Sequence, residues 1–157
     1  MSTSTVLHAG VSGQPLDLNH ALAVVDSADC GAVVGFGGVV RNHDGGKAVE
    51  RLSYSAHPTA RQVMSDVVAR LAAEQQEAQR DGGATGPSPQ PVRIWAAHRI
   101  GMLEIGDPAL VCAVSAAHRG QAFAVCSELV DRIKEQVPIW KEQFFVDGTV
   151  EWVGAGS

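Results

Sequence analysis

The chain has no close cysteine pair, little lysine and no long apolar run, and each shortage excludes a class of protein. Its three cysteines, Cys30, Cys112 and Cys126, lie far apart and form no CxxC, so the spacing encodes neither a disulfide framework nor a cysteine metal clip. Reduced thiols in a cytoplasmic protein are the simplest reading. Cys112 stands in an apolar run and Cys126 in a helical pattern, and both read as small core residues. No stretch approaches the roughly 18 apolar residues of a membrane span. The start, MSTSTVLHAG, lacks the basic residues and apolar stretch of a signal peptide. HExxH, GxSxG and GxxxxGK[ST] are all missing, and Gly35-Phe36-Gly37-Gly38 does not fit GxGxxG, so no metal site and no dinucleotide site are expected. Positive charge is also short. A net charge of -5 argues against a general nucleic-acid binder, which needs a basic footprint, but leaves room for a local basic pocket around one small anion.

What is present fits one domain, residues 1–157. The chain has 157 residues of which 45% are hydrophobic, enough for a core without disulfide or metal staples. Residues 6–8 read as a short first strand. Pro15-Leu16-Asp17 leads into a helix with Asp17 as N-cap and Leu18, Leu22 and Val25 on one face. The segment 31–41 reads as a buried strand whose four glycines point to a bulge or to close approach by another backbone, chain or ligand. Residues 42–46 read as a loop and 49–56 as a strand. Pro58 suits the start of a helix whose face is Val63, Met64, Val67, Val68 and Leu71, running to about Arg80. The Gly- and Pro-rich stretch 81–91 reads as a flexible loop. Strands follow at 92–97 and, as a sheet centre, at 109–115. A second long helix opens at Ala117-His118-Arg119-Gly120, presents Phe123, Cys126, Leu129, Val130 and Ile133 on one face, and stops at Pro138. Phe144 to Val153 reads as a hairpin, with Asp147-Gly148 suited to a type I′ turn. Strands and helices do not alternate cleanly, which favours α+β over a doubly wound sheet.

Only three lysines occur, Lys47, Lys134 and Lys141. Two of them flank Pro138, seven residues apart. Lysine placed where arginine is otherwise common suggests a point charge or a tunable amine. The bland reading is a solvated helix end, with Lys134 facing the negative end of the dipole and pairing with Asp131. His118-Arg119, at the start of a helix after a buried strand, suits an anion, because free backbone N–H groups, a guanidinium fork and an imidazole converge there. A helix-capping histidine beside a solvated arginine accounts for the same residues. Arg41 ends the glycine-rich strand. His98-Arg99 precedes a turn rather than a helix, so its anion reading is weaker, and His43 and His57 read as surface residues.

Taken in order, four blocks resemble the molybdopterin synthase catalytic (large) subunit family. The first holds Gly31, Ala32, Phe36, Gly38, Val40, Arg41 and Asn42. The second is His98-Arg99-Ile100-Gly101, and the third holds Ser115, His118, Arg119, Ala122 and Phe123. The last runs from Lys134 through Val137, Pro138, Ile139, Trp140 and Lys141 to Glu142. The resemblance implies an α/β hammerhead-type core with an added antiparallel β subdomain, working as a homodimer. It implies a small ubiquitin-fold sulfur-carrier subunit whose C-terminal Gly-Gly tail bears a thiocarboxylate, two such subunits making a heterotetramer. It implies a pterin phosphate substrate, cyclic pyranopterin monophosphate, converted to molybdopterin, with no cofactor beyond the consumed thiocarboxylate. Catalysis would fall to Lys134 and Lys141. Binding would fall to Val39, Val40, Arg41, His118, Arg119, Lys134, Lys141, Glu142 and Gln143. One departure stands out: Trp152-Val153 is followed by Gly154-Ala155-Gly156-Ser157, where the family often carries a basic residue, and Arg99 is a candidate substitute. Two readings compete from other classes. One is a non-catalytic module binding a phosphorylated metabolite through His118-Arg119, and the other is a scaffold whose glycine-rich strand and hairpin mediate assembly.

Overall fold

The computed structural model describes residues 4–81 and 91–154. Its elements are β1 (Thr5–Ser12), α1 (Leu18–Val25), β2 (Ala32–Val39), β3 (His43–Asp44), β4 (Lys47–Ala56), α2 (Ala60–Asp81), β5 (Arg93–Arg99), β6 (Gly101–Glu104), β7 (Pro108–Ala116), α3 (Arg119–Gln136), β8 (Ile139–Phe145) and β9 (Val150–Val153). Most of the loop expected at 81–91 lies outside the described residues, as does the chain after Gly154.

Two sheets organise the molecule. The first has order β1-β5-β7-β2, with β1 parallel to β5 and the other pairs antiparallel. Its centre, β7, has eight consecutive buried residues after Pro108, the unbroken apolar pattern of a strand covered on both faces. Helices α2 and α3 cover one face through Met64, Val68, Leu71, Leu129 and Ile133. The short α1 covers part of the other through Ala21 and Val25 against Trp95 and Val111. The second sheet, β3-β4-β8-β9 with β6 also on β4, is antiparallel throughout. The α+β class is therefore as the sequence pattern indicated, and the second, antiparallel sheet is as the family resemblance implied.

Local chemistry explains the element ends. Asp17 caps α1, its Oδ1 accepting from Asn19 N–H at 2.9 Å. At the other end of α1 the Val25 carbonyl accepts from the buried Ser115 hydroxyl at 2.5 Å and from Arg93 Nε at 3.0 Å. Those bonds satisfy a helix-end carbonyl and tie α1 to the sheet. Helix α3 ends at Gln136, with Val137 as C-cap, immediately before Pro138.

Four expectations need correction. Strand β2 is not buried. It is a sheet edge whose residues alternate between half-buried and exposed, because β7 pairs with it on one side only. Its glycines are explained by a bulge at Gly38/Val39 and by α1: a Cβ on Gly35 would come within 2.8 Å of Leu22 Cδ2 and 2.9 Å of Leu18 Cδ1. The segment 42–46 is a tight hairpin rather than an open loop, since Gly45 (φ 57°) and Gly46 (φ 79°) supply the two positive φ angles of a two-residue turn joining β3 to β4. The β8–β9 turn is not type I′. Only Gly148 has positive φ (90°), and its N–H bonds the Phe145 carbonyl, as in a three-residue loop closed by a left-handed glycine. Phe123 does not join the buried face of α3; it is 60% exposed, while Ala122 and Val125 lie inside.

Candidate active site

The sequence brings three distant cations to one place by ending three elements there. The residue before Pro138 cannot stay helical, so α3 stops and leaves Lys134 in its last turn, where an ammonium favours the negative end of the helix dipole. The chain then turns into β8, and side-chain alternation directs Lys141 to the same side. Arg41 leaves the end of β2 just beyond its bulge. All three line one cleft of about 540 Å³ between the sheets, with Val39, Tyr54 and His98 in its walls and Glu151 and Val153 contributed by β9. A smaller lobe adjoins it between Tyr54, His98, Lys134, Lys141 and Gly154. A cavity of this size suits a small organic ligand.

The lysines differ in their engagements. Lys47 is committed to structure: its Nζ donates to Thr149 Oγ1 at 2.6 Å, pairs with Asp147 at 3.3 Å and sits over the Phe145 ring. Lys134 and Lys141 make no ion pair among the described residues, and the pair of Lys134 with Asp131 is not formed. Two ammonium groups thus face the cleft without a carboxylate of their own, an arrangement that attracts anions. Arg41 is held at the rim by Asp44, Nη2 to Oδ1 at 3.3 Å. The other Asp44 oxygen accepts from the buried Gln143 amide at 2.8 Å. That hydrogen bond, with help from the charges of Lys141 and Arg41, holds the Asp44 carboxyl below the usual carboxylate range.

The remaining expected residues fall into three groups. Val39 lines the cleft and Gln143 supports it from behind. Val40 is 4% exposed and belongs to a small core with Leu52, Leu103 and Ala109. Glu142, between Lys141 and Gln143 on β8, projects from the opposite face of the sheet, opposite Trp152 and Ser53. His118 and Arg119 are exposed at the start of α3, about 22 Å along the helix from Lys134. His118 occupies the N-cap position without a side-chain capping bond. One protomer therefore does not unite them with Arg41, Lys134 and Lys141. Arg99 is not in the cleft either. It reaches Asp107 at 3.5 Å, and its buried Nε has no partner among the described residues.

Two residues that the sequence did not assign to the site line the cleft. Tyr54 and His98 form the cleft floor, their rings 4.8 Å apart and edge to face. His98 Nδ1–H donates to the Arg99 carbonyl at 2.8 Å. Burial, aided by the charge of Lys134, pulls the imidazole pKa down to about 4. The signal available in sequence was a histidine at the last inward-facing position of a core strand, which strand alternation alone does not distinguish from a packed one. Burial raises the pKa of both Cys112 and Cys126, so both are core thiols. Among the described residues no three His, Cys, Asp or Glu side chains converge as metal ligands, and no helix is long and apolar enough to cross a membrane.

Comparison with known proteins gives a consistent result. The family model described as MoaE protein matches residues 11–136. The chain is 37% identical over 146 residues to the molybdopterin synthase catalytic subunit 1 of Mycobacterium tuberculosis, covering 92% of this chain and 88% of that one. It is similar in structure to molybdopterin synthase from Staphylococcus aureus, with a TM-score of 0.76 and 29% identity over 93% of this chain and 96% of the other. It shares its fold, at a TM-score of 0.57 and 19% identity over 93% of this chain and 88% of the other, with a chain of the complex of subunits 1 and 2 of molybdopterin-converting factor from Helicobacter pylori.

Proposed function

The chain belongs to the MoaE protein family, the family of molybdopterin synthase catalytic subunits, and on that premise we propose that its cleft transfers sulfur to cyclic pyranopterin monophosphate. The observation that carries this reading is the convergence of Arg41, Lys134 and Lys141 in one cleft, both lysines without an ion-pair partner among the described residues. Both reactants would be anions there: the cyclic phosphate, and the thiocarboxylate on the Gly-Gly tail of a small ubiquitin-fold subunit. Fixed cations hold two anions together and offset their repulsion. Lys134, in the last turn of α3, would stand nearest the tail and donate a proton or polarise the acyl group as sulfur leaves it. Lys141 would protonate the oxygen released when the phosphate ring opens. The sulfur goes to the substrate and the tail returns as a carboxylate with an oxygen from water. A dithiolene needs two sulfurs, hence two tails. No other cofactor enters this reading, and a cytoplasmic location accords with the reduced core thiols.

His118 and Arg119 enter through a second copy. Strand β2 is an edge with exposed Val33, and Phe123 stands exposed on the neighbouring helix. Ala32 pairs with Ala116, beside the start of α3, whereas Val39 pairs with Pro108, beside the cleft. Antiparallel pairing of two β2 strands about a two-fold axis would set the start of the partner's α3 against the cleft of the first chain. A homodimer of this kind, flanked by two small subunits, gives a heterotetramer with two shared sites.

The test is reconstitution with a thiocarboxylated small subunit and cyclic pyranopterin monophosphate, with mass spectrometry of the product. Wild-type protein should form molybdopterin, and Lys134→Ala should reduce turnover by at least about 100-fold while the fold and small-subunit binding persist. An undiminished rate in Lys134→Ala would overturn the assignment.

A further inference from the structure

We propose that His98 is a specificity-determining residue of the cleft, its Nε2 lone pair accepting a hydrogen bond from a ring or amino N–H of the bound heterocycle. The inference rests on the pterin reading above and names the part of the substrate that the cations leave unaccounted for.

The Arg99 carbonyl can only accept, so the proton of His98 lies on Nδ1. The distal edge of the ring then carries an unprotonated nitrogen. No group among the described residues bonds it, and the ring lines both lobes of the cleft. Tyr54, packed edge-on, sets the plane of the imidazole. Burial keeps the ring neutral far below physiological pH, so it remains an acceptor whenever a ligand binds.

The neighbours make this acceptor distinctive. Lys134, Lys141 and Arg41 offer hydrogens only. Of the two lining carboxylates, Asp44 is already engaged by Arg41 and Gln143 at the rim, and Glu151 is an exposed side chain of the edge strand β9. A bare phosphate is held by the cations through its oxygens and has no ring or amino N–H to give the His98 nitrogen. A ligand that fills this cleft therefore carries an anionic group toward the cations and a hydrogen-bond donor toward His98, as a phosphorylated pterin does through its ring and amino N–H groups.

Two measurements test this in the assembled enzyme. In protein carrying 15N-labelled histidine, cyclic pyranopterin monophosphate should shift the His98 Nε2 resonance, while inorganic phosphate should leave it in place. In steady-state assays His98→Phe, which keeps an aromatic ring against Tyr54 but has no acceptor, should raise KM for the pterin roughly tenfold with kcat little changed. His98→Gln, which can present an oxygen near the Nε2 position, should recover most of that loss. Inhibition by inorganic phosphate should be equal in all three proteins. An Nε2 resonance unmoved by the pterin, or moved equally by phosphate, overturns the proposal. So does a His98→Phe enzyme with unchanged KM. The resonance is read without turnover, so failure of this inference is distinguishable from failure of the sulfur-transfer reading, which would appear as wild-type protein making no product.

Discussion

The buried amide of Gln143 donates to Asp44 Oδ2 at 2.8 Å, across 99 positions of sequence. This one bond joins β8 to the β3 hairpin and places the carboxylate that steadies Arg41. Gln143 is 2% exposed, so its amide has little access to water as an alternative partner.

A carboxylate–amide pair tolerates exchange but not duplication. Gln143→Glu would set two carboxylates against each other and should destabilise the protein by about 2 kcal/mol at neutral pH. Adding Asp44→Asn restores one charge and one amide and should recover most of the loss. Urea midpoints of the two single variants and the double variant check this. Additive losses would show that the two residues are not coupled.

A shared site makes a different demand. Lys134→Ala and Arg119→Ala proteins should each be nearly inactive alone. Unfolded together and refolded as a mixture, half of the dimers would be mixed, each with one intact site, giving about a quarter of wild-type activity. Turnover that stays at the level of the separate variants would place Arg119 outside the site of the neighbouring chain.

Acid should weaken the contact between the two long helices. Arg132 Nη2 donates to Glu74 Oε1 at 2.9 Å, and its Nη1 reaches the other oxygen. That hydrogen-bonded pairing holds the Glu74 carboxyl below its ordinary value of 4.5. A carboxyl with a depressed folded-state pKa stabilises the fold above the unfolded value, and the contribution vanishes as pH falls through the folded value. Glu74 is 44% exposed, so solvent screening limits the effect to no more than about 1 kcal/mol. Thermal melts should show Glu74→Gln below wild type at pH 7, with the gap closing as pH falls below the ordinary value of 4.5 and through the depressed folded value. A gap independent of pH would mean the pair contributes packing rather than charge.

Much of this molecule was legible before its fold. The Asp17 cap, the helix stop at Pro138, the apolar run of β7 and the scarcity of lysine are local facts, and the structure contains each of them. The hairpin glycines were misread in detail, because turn type depends on whether one or two residues take positive φ, and Asp147-Gly148 is compatible with either. The burial of β2 was misread because an apolar strand and an apolar edge strand have the same composition; only the pairing of neighbours tells them apart.

What the sequence alone determined was which chemistry the chain can offer: two lysines around a proline, an arginine after a glycine-rich strand, and histidines at element ends. Proximity was decided by tertiary structure. Lys134 and Lys141 meet Arg41 because a helix, a β-strand and a bulged edge strand end at one seam between two sheets. His98 became a neutral acceptor through burial and a single backbone carbonyl. Neither burial nor convergence is written in spacing, since both depend on contacts between segments far apart in the chain, and the pKa of a side chain follows its surroundings rather than its neighbours in sequence.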